Sequence, residues 1–108
     1  MLILPCSIKT LSQVANAQTD NLIARAADVC LKEGRSLILA VRESPLHRGH
    51  IRLMDFAAAS GAIIAPPMPI FYHRPQNLEE MTDQIVARLI QRLGIPVSDI
   101  FQWPGISP

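Results

Sequence analysis

The sequence is short of three features: an excess of one charge sign, a long apolar run, and enough cysteine for a disulfide framework. Its 108 residues include ten Lys and Arg and nine Asp and Glu, giving a formal net charge of +1. A general nucleic-acid binder needs a concentrated basic surface for counterion release, so this balance excludes that class. A membrane span needs about 20 consecutive apolar residues, and no segment has that many.

The N-terminal segment and the cysteines indicate a cytoplasmic protein. The apolar segment Met1–Leu4 has no basic leader and stops at Pro5, which is too short for a signal peptide. The two cysteines, Cys6 and Cys30, could form at most one bridge, and neither lies in a CxxC motif. We therefore expect both thiols to be reduced.

Apolar residues are abundant enough to form a core. Hydrophobic residues make up 49% of the chain and charged residues 18%, which excludes intrinsic disorder. The length fits one domain. We predict that this domain covers residues 1–96 and that residues 97–108, which include Trp103, form an extended tail.

Strand and helix patterns alternate along the chain. Continuous apolar runs predict three strands, at Leu2–Leu4, Leu37–Val41 and Ala62–Ala65, the first of them ended by Pro5. Capping residues and apolar rows predict four helices, at Thr10–Ala15, from a Thr19 N-cap to Gly34, at Arg48–Ser60, and from an Asn77 N-cap to Gly94. This order predicts an α/β fold, a three-layer Rossmann-like (flavodoxin-like) parallel sheet flanked by helices.

The first predicted strand leads into a polar segment, Ser7-Ile8-Lys9-Thr10. Ligands of open α/β sheets bind beyond the carboxyl ends of the strands. Free backbone N–H groups, two hydroxyls and an ammonium could hold a phosphate or the edge of a flavin there. Capping of the next helix by Ser7 or Thr10 would explain the same residues without a ligand.

The other two strands also precede chemically capable residues. Arg42 and Glu43 follow the second strand and are either part of a site or a surface ion pair. The loop after the third strand contains Tyr72, either a ligand contact or a packing residue. Arg88 lies seven residues after Met81, on or beside an apolar stripe. We expect this arginine to have an anionic partner, either a structural carboxylate or a substrate phosphate.

Two more pairs of residues have a helical or ligand-like spacing. Arg25 and Lys32 lie on one helix face, which either binds an anion or is solvated. His47 and His50 are spaced as two metal ligands can be, but apart from Glu43 no third ligand is nearby. Capping of a helix start or polar packing is therefore the favoured interpretation, and no metal is expected.

Four segments, taken together and in this order, resemble the UbiX family of flavin prenyltransferases: Pro5–Leu11, Asp20–Val29, Arg42–His47 and Pro66–Pro75. Older names for this family are phenylacrylic acid decarboxylase and 3-octaprenyl-4-hydroxybenzoate carboxy-lyase. The resemblance implies transfer of a dimethylallyl group from dimethylallyl phosphate to N5 and C6 of reduced FMN. The product, prenylated FMN, would serve UbiD-type decarboxylases.

The resemblance also implies roles for individual residues. Glu43 would be the acid/base that relays a proton to the departing phosphate and assists ring closure. The implied FMN contacts are Ser7, Ile8, Lys9, Thr10 and Arg42. The implied dimethylallyl phosphate contacts are Tyr72, Arg88 and Lys32, with Lys32 reaching from an adjacent subunit. The resemblance implies no metal.

The sequence departs from this family at its start. Members of ordinary length begin with a strand and a flavin-binding turn rich in glycine and serine, and this sequence resembles the C-terminal portion that follows them. We expect a homo-oligomer, a trimer or a dodecamer. Two alternatives remain open: an FMN-dependent cysteine decarboxylase of the same fold, and a non-catalytic remnant or oligomerisation module.

Overall fold

The computed structural model describes residues 1–98. Residues 99–108, which include Trp103 and most of the predicted tail, lie outside the described residues. The chain divides into two compact units, Met1–Pro67 and Met68–Pro108. No helix within residues 1–98 combines the length and the apolar character that crossing a membrane requires.

The first unit, all of which the structure describes, is a parallel sheet with helices. Its strands are β1 (Leu2–Cys6), β2 (Ile38–Val41) and β3 (Ile63–Ile64), and its helices are α1 (Ile8–Ala15), α2 (Leu22–Lys32) and α3 (Arg48–Ala59). The strands are parallel and lie in the order β1-β2-β3. The second unit contributes the helix α4 (Leu78–Arg92). The predicted α/β class with a parallel sheet is confirmed.

The middle strand, β2, is the most deeply buried part of the first unit. Every residue from Leu37 to Val41 is at most 2% exposed. The odd-numbered residues of this run share a core cluster with Leu11 of α1 and Ala57 of α3. Burial stabilises the fold by about 1.5 to 3 kcal/mol for each large apolar side chain. Burial of both strand faces also explains why the sequence of β2 is continuously apolar.

The lengths of the outer strands differ from those predicted. The expected end of the first strand at Leu4 is wrong, because β1 continues through Pro5 to Cys6. The register with β2 is irregular between Ile3 and Cys6. Among residues 1–98, β1 pairs with β2 alone, so the amide hydrogen that Pro5 lacks is not required by a second strand. Of the four residues predicted for the third strand, β3 keeps only its two isoleucines.

The expected N-cap of the second helix, Thr19, is wrong. Helix α2 begins at Leu22, and the side-chain oxygen of Asn21 accepts a hydrogen bond from the Ala24 N–H at 2.9 Å. The Asn21 Nδ2 also donates to Oε1 of Gln13 in α1 at 3.2 Å, and Gln13 is buried. Asn21 therefore caps α2 and binds α1 at the same time.

The fourth helix begins and ends at the predicted residues. The Asn77 side-chain oxygen accepts from the Glu80 N–H at 2.8 Å, and the Glu80 carboxylate accepts from the Gln76 N–H at 3.1 Å. After the last helical residue, Arg92, the chain turns at Gly94 with a φ of +87°. Glycine adopts this left-handed conformation without strain. The predicted helix from the Asn77 cap to Gly94 is confirmed.

Candidate functional site

The carboxyl ends of β1 and β2 lie side by side. Cys6 pairs with Val41 in the parallel register, and neighbouring strands are about 4.8 Å apart. Ser7 and Arg42 directly follow these two paired residues. The structure therefore brings the segment Ser7–Thr10 and Arg42 to the same edge of the sheet.

The start of α1 is capped by its own hydroxyls. The Ser7 Oγ accepts from the Thr10 N–H at 3.1 Å and donates to the Thr10 Oγ1 at 3.2 Å. The capping interpretation therefore accounts for Ser7. Within residues 1–98, however, the backbone N–H groups of Ile8 and Lys9 have no protein acceptor. These two donors and the exposed Lys9 ammonium suit a phosphate or the polar edge of a flavin.

A pocket of about 360 Å³ is lined by Arg42, Glu43 and Ser44, the three residues that follow β2. All three residues are exposed, and in the part of the chain that the structure describes no ion pair joins Arg42 to Glu43. A pocket of similar size, about 330 Å³, is lined in part by Gly34 and Gly61 after α2 and α3. Size therefore does not distinguish the two pockets. The pocket lined by Arg42 and Glu43 has both a cation and a carboxylate, which makes it the candidate site.

In the second unit, the structure brings together two candidates that are far apart in sequence. An N–H of the Arg88 Nη2 donates to the Tyr72 Oη at 2.8 Å. Tyr72 is 49% exposed, and Arg88 is half-buried on α4. We expected an anionic partner for Arg88, and the phenol is a neutral one. A guanidinium and a phenol held together form a set of N–H and O–H donors of the kind that binds phosphate.

Lys32 does not lie at the carboxyl edge of the sheet within one chain. It is exposed on the last turn of α2, just before the chain enters β2, whereas Arg42 follows the opposite end of β2. The structure of one chain thus does not bring Lys32 to Arg42. That Lys32 contributes from an adjacent subunit stays a prediction.

His47 and His50 cap the start of α3. The Nδ1 of His47 accepts from backbone N–H groups of the first helical turn, and the Nδ1 of His50 accepts from the His47 N–H. The capping interpretation of this pair is confirmed. No group of three or more His, Cys, Asp or Glu residues in the described range 1–98 is arranged to hold a metal ion.

Cys6 sits under the candidate site as a buried thiol. It is 1% exposed, and its thiol donates to the Ser7 carbonyl oxygen at 3.6 Å. Burial raises the pKa of the Cys6 thiol from 9.0 to about 11, because the thiolate is poorly solvated in the core. The thiol is therefore protonated at neutral pH, which excludes it as a nucleophile there.

This shift predicts a loss of stability at alkaline pH. The folded pKa of Cys6 is above the unfolded one, so its contribution is complete below about pH 9 and falls as the pH rises toward about 11. The expected loss is about 2 kcal/mol by pH 11. Urea unfolding from pH 8 to 11 should show this loss in wild type and Cys30→Ala, and its absence in Cys6→Ala. An equal loss in all three chains would contradict the burial effect.

Comparison with known proteins gives a family match over nearly the whole chain. A family model described as Flavoprotein matches residues 1–97. The chain is 55% identical over 107 residues to flavin prenyltransferase UbiX of Escherichia coli (strain K12). That alignment covers 97% of this chain and 57% of the relative.

Two solved structures share the fold. The complex of AnUbiX (PadA1) with FMN and dimethylallyl pyrophosphate has a TM-score of 0.93 and 40% identity, covering 99% of this chain and 57% of that one. The dodecameric FMN-dependent UbiX-like decarboxylase from Escherichia coli O157:H7 has a TM-score of 0.91 and 39% identity, covering 97% and 57%. This likeness confirms the predicted Rossmann-like (flavodoxin-like) fold.

The chain spans 57% of the length of each of these three proteins. The similarity extends through both units of this chain and includes the segments that carry the candidate residues. The chain therefore belongs to the Flavoprotein family, and its similar relatives in that family are UbiX flavin prenyltransferases.

Proposed function

We propose that the chain acts in flavin prenyl transfer, moving a dimethylallyl group from dimethylallyl phosphate to reduced FMN. The observation that carries the proposal is the edge of the sheet at which Ser7–Thr10 and Arg42 follow two paired strand ends, with the carboxylate of Glu43 lining the same pocket as Arg42. A similar solved protein binds FMN and dimethylallyl pyrophosphate together. In the reaction, the C–O bond of the donor breaks with its electron pair leaving on phosphate, and bonds form to N5 and C6 of the flavin.

The FMN contacts in this proposal are Ser7, Ile8, Lys9, Thr10 and Arg42. The free amides at the start of α1 and the Lys9 ammonium suit polar flavin or phosphate oxygens, and the helix N-terminus favours a negative charge. Arg42 adds a guanidinium at the same edge. These groups would bind and orient the flavin, while its reduced ring supplies the nucleophilic N5 and C6 atoms.

The donor contacts in this proposal are Tyr72, Arg88 and Lys32. Departure of phosphate places negative charge on its oxygens, and the linked guanidinium and phenol stabilise that charge by charge-assisted hydrogen bonds. Lys32 would add an ammonium from a neighbouring copy. We therefore propose a homo-oligomer, a trimer or a dodecamer, and one similar solved structure is dodecameric.

Glu43 is the proposed acid/base. Forming the two bonds releases one proton each from N5 and C6, and the departing phosphate and the alkene carbon each take one up. The carboxyl of Glu43 lines a pocket with Arg42, so it can receive and return a proton there. The proposal includes delivery of prenylated FMN to a UbiD-type decarboxylase. It also includes a cytoplasmic location, which the free cysteines Cys6 and Cys30 suit.

The direct test is anaerobic incubation of the purified chain with reduced FMN and dimethylallyl phosphate, followed by mass spectrometry of the flavin. We expect a flavin heavier by one prenyl group. Flavin binding without this product, together with release of CO₂ from a cysteine-containing peptide, would instead support the FMN-dependent cysteine decarboxylase. Absence of both flavin binding and product would support the non-catalytic alternative.

The hydrogen-bonded pair of Tyr72 and Arg88, proposed to bind dimethylallyl phosphate, gives a separate prediction in the same assay. Arg88→Met removes the guanidinium that donates to Tyr72 but keeps a long apolar side chain on α4. A charge-assisted contact to phosphate contributes about 1.5 to 3 kcal/mol, so the KM for dimethylallyl phosphate should rise about tenfold or more. FMN affinity should not change. Arg52→Met, at an exposed position on α3, is the matched control and should keep the wild-type KM.

A further inference from the structure

The two histidines at the start of α3 cap each other. The Nδ1 of His47 accepts from the N–H of Gly49 at 2.9 Å and of His50 at 3.4 Å. The Nδ1 of His50 accepts in return from the N–H of His47 at 3.4 Å. The rings stack with centroids 3.6 Å apart. Because each Nδ1 is an acceptor, this arrangement requires both imidazoles to be neutral, with the ring proton on Nε2.

Gly49 fits closely under the His47 ring. A Cβ at this position would lie 2.7 Å from Cε1 and 3.0 Å from Nδ1 of His47. Alanine is the better helix former, so the glycine is explained by the space that the capping ring occupies. The cap is therefore built by three residues, His47, Gly49 and His50.

This cap is one of two anchors of the segment that carries Arg42 and Glu43. The segment leaves the core at Val41, which is 2% exposed, and reaches the next element, α3, at its N-cap His47. No hydrogen bond among the described residues 1–98 involves residues 42–46. The position of the candidate site residues thus depends on the strand end at one side and on the histidine cap at the other.

We propose that His47 and His50 are positioning residues that hold Arg42 and Glu43 in place and release them when either imidazole gains a proton. That Arg42 and Glu43 are site residues rests on the proposed function, whereas the inference that the histidine cap fixes the position of residues 42–46 does not. A proton on either Nδ1 removes an acceptor, and two imidazolium rings at 3.6 Å repel each other. The cap should therefore be complete while both rings are neutral and lost when either ring is protonated.

Helix α3 packs against α1 and β3. Helix α1 contributes one charged side chain, β3 contributes none, the connecting segment contributes two and α3 itself contributes three: Lys9, Arg42, Glu43, Arg48, Arg52 and Asp55. The two imidazoles are the groups whose protonation removes an acceptor from the cap.

The test measures backbone order by ¹⁵N relaxation at Glu43, Ser44 and Leu46. In wild type we expect order at neutral pH and its loss at an acid pH that protonates the rings. His47→Asn keeps a good N-cap that does not titrate, so it should stay ordered at both values. His47→Ala should lose order at both, and Gly49→Ala should do the same although both histidines remain. Asn77→Ala removes the cap of α4 as a matched control and should leave these three residues unchanged.

A second readout connects the cap to flavin binding. Loss of one cap costs about 1 kcal/mol, so the Kd of FMN should rise about fivefold in His47→Ala and return to the wild-type value in His47→Asn. Equal order in wild type and His47→Ala, or order independent of pH in wild type, would overturn the inference. If wild type binds no FMN, the proposed function fails, and the relaxation data still decide whether the histidines hold the segment.

Discussion

Replacement of Glu43 by glutamine is expected to lower the rate of prenylated flavin formation by about 100-fold or more, because general acid–base groups contribute about 10² to 10⁴. The substitution keeps the size and hydrogen-bonding capacity of the side chain but removes its ability to exchange a proton. Glu43 lines a pocket with Arg42 and is exposed, so the fold should be unaffected. The rate is measured under saturating donor, by mass spectrometry of the flavin at timed intervals.

The Glu43 result needs a carboxylate control and a binding control. Glu79→Gln makes the same chemical change at an exposed position on the first turn of α4, and it should keep the wild-type rate. Glu43→Gln should also bind FMN within about twofold of wild type, because the FMN contacts are assigned to other residues. A wild-type rate in Glu43→Gln would remove this residue from the acid/base role, while a loss confined to FMN affinity would make it a binding residue.

Local capping chemistry explains why parts of the fold could be predicted from the sequence. Asn77 and Gly94 were expected to bound a helix, and both occupy the positions that their conformational preferences favour. Ser7 was expected as a possible cap and accepts from the Thr10 N–H. Each of these signals acts within four residues, so a single sequence contains all the information that it needs.

The wrong predictions involve contacts that are distant in sequence. Thr19 and Asn21 are both acceptable N-caps, and the choice is made by Gln13, which binds Asn21 from another helix. Pro5 ends a strand by local rules, yet β1 continues through it, and within residues 1–98 this strand pairs with β2 alone. Strand neighbours and interhelical hydrogen bonds are set by the whole fold, and a local pattern does not contain them.

The candidate site was predictable to the extent that it depends on parallel strands. Carboxyl ends of adjacent parallel strands share one edge, so placing Ser7 near Arg42 required only the strand order. The apolar stripe of α4 indicated that Arg88 needs a partner but did not identify Tyr72, since the bond between them depends on the path of the intervening loop. The spacing of Arg25 and Lys32 predicted that both lie on one helix face. It did not predict at which edge of the sheet Lys32 lies.

Replacement of Leu39 by alanine is expected to lower the free energy of unfolding by about 3 kcal/mol. Leu39 is fully buried in β2, pairs with residues of both neighbouring strands and belongs to the core cluster. Truncation removes apolar contact area and leaves a cavity that a strand held on both sides cannot close. Domains of this size have about 5 to 15 kcal/mol of stability, so the urea midpoint should fall markedly with an unchanged slope.

Leu22→Ala is the matched control for Leu39→Ala and also tests for self-association. The Leu22 side chain is 81% exposed at the first position of α2. If the chain is monomeric, this substitution should change the free energy of unfolding by less than about 0.5 kcal/mol. A larger loss that grows with protein concentration would mean that a second copy buries Leu22, because association links stability to concentration. If Leu39→Ala lowered the free energy of unfolding of the monomer by no more than Leu22→Ala does, the placement of β2 at the centre of the core would be contradicted.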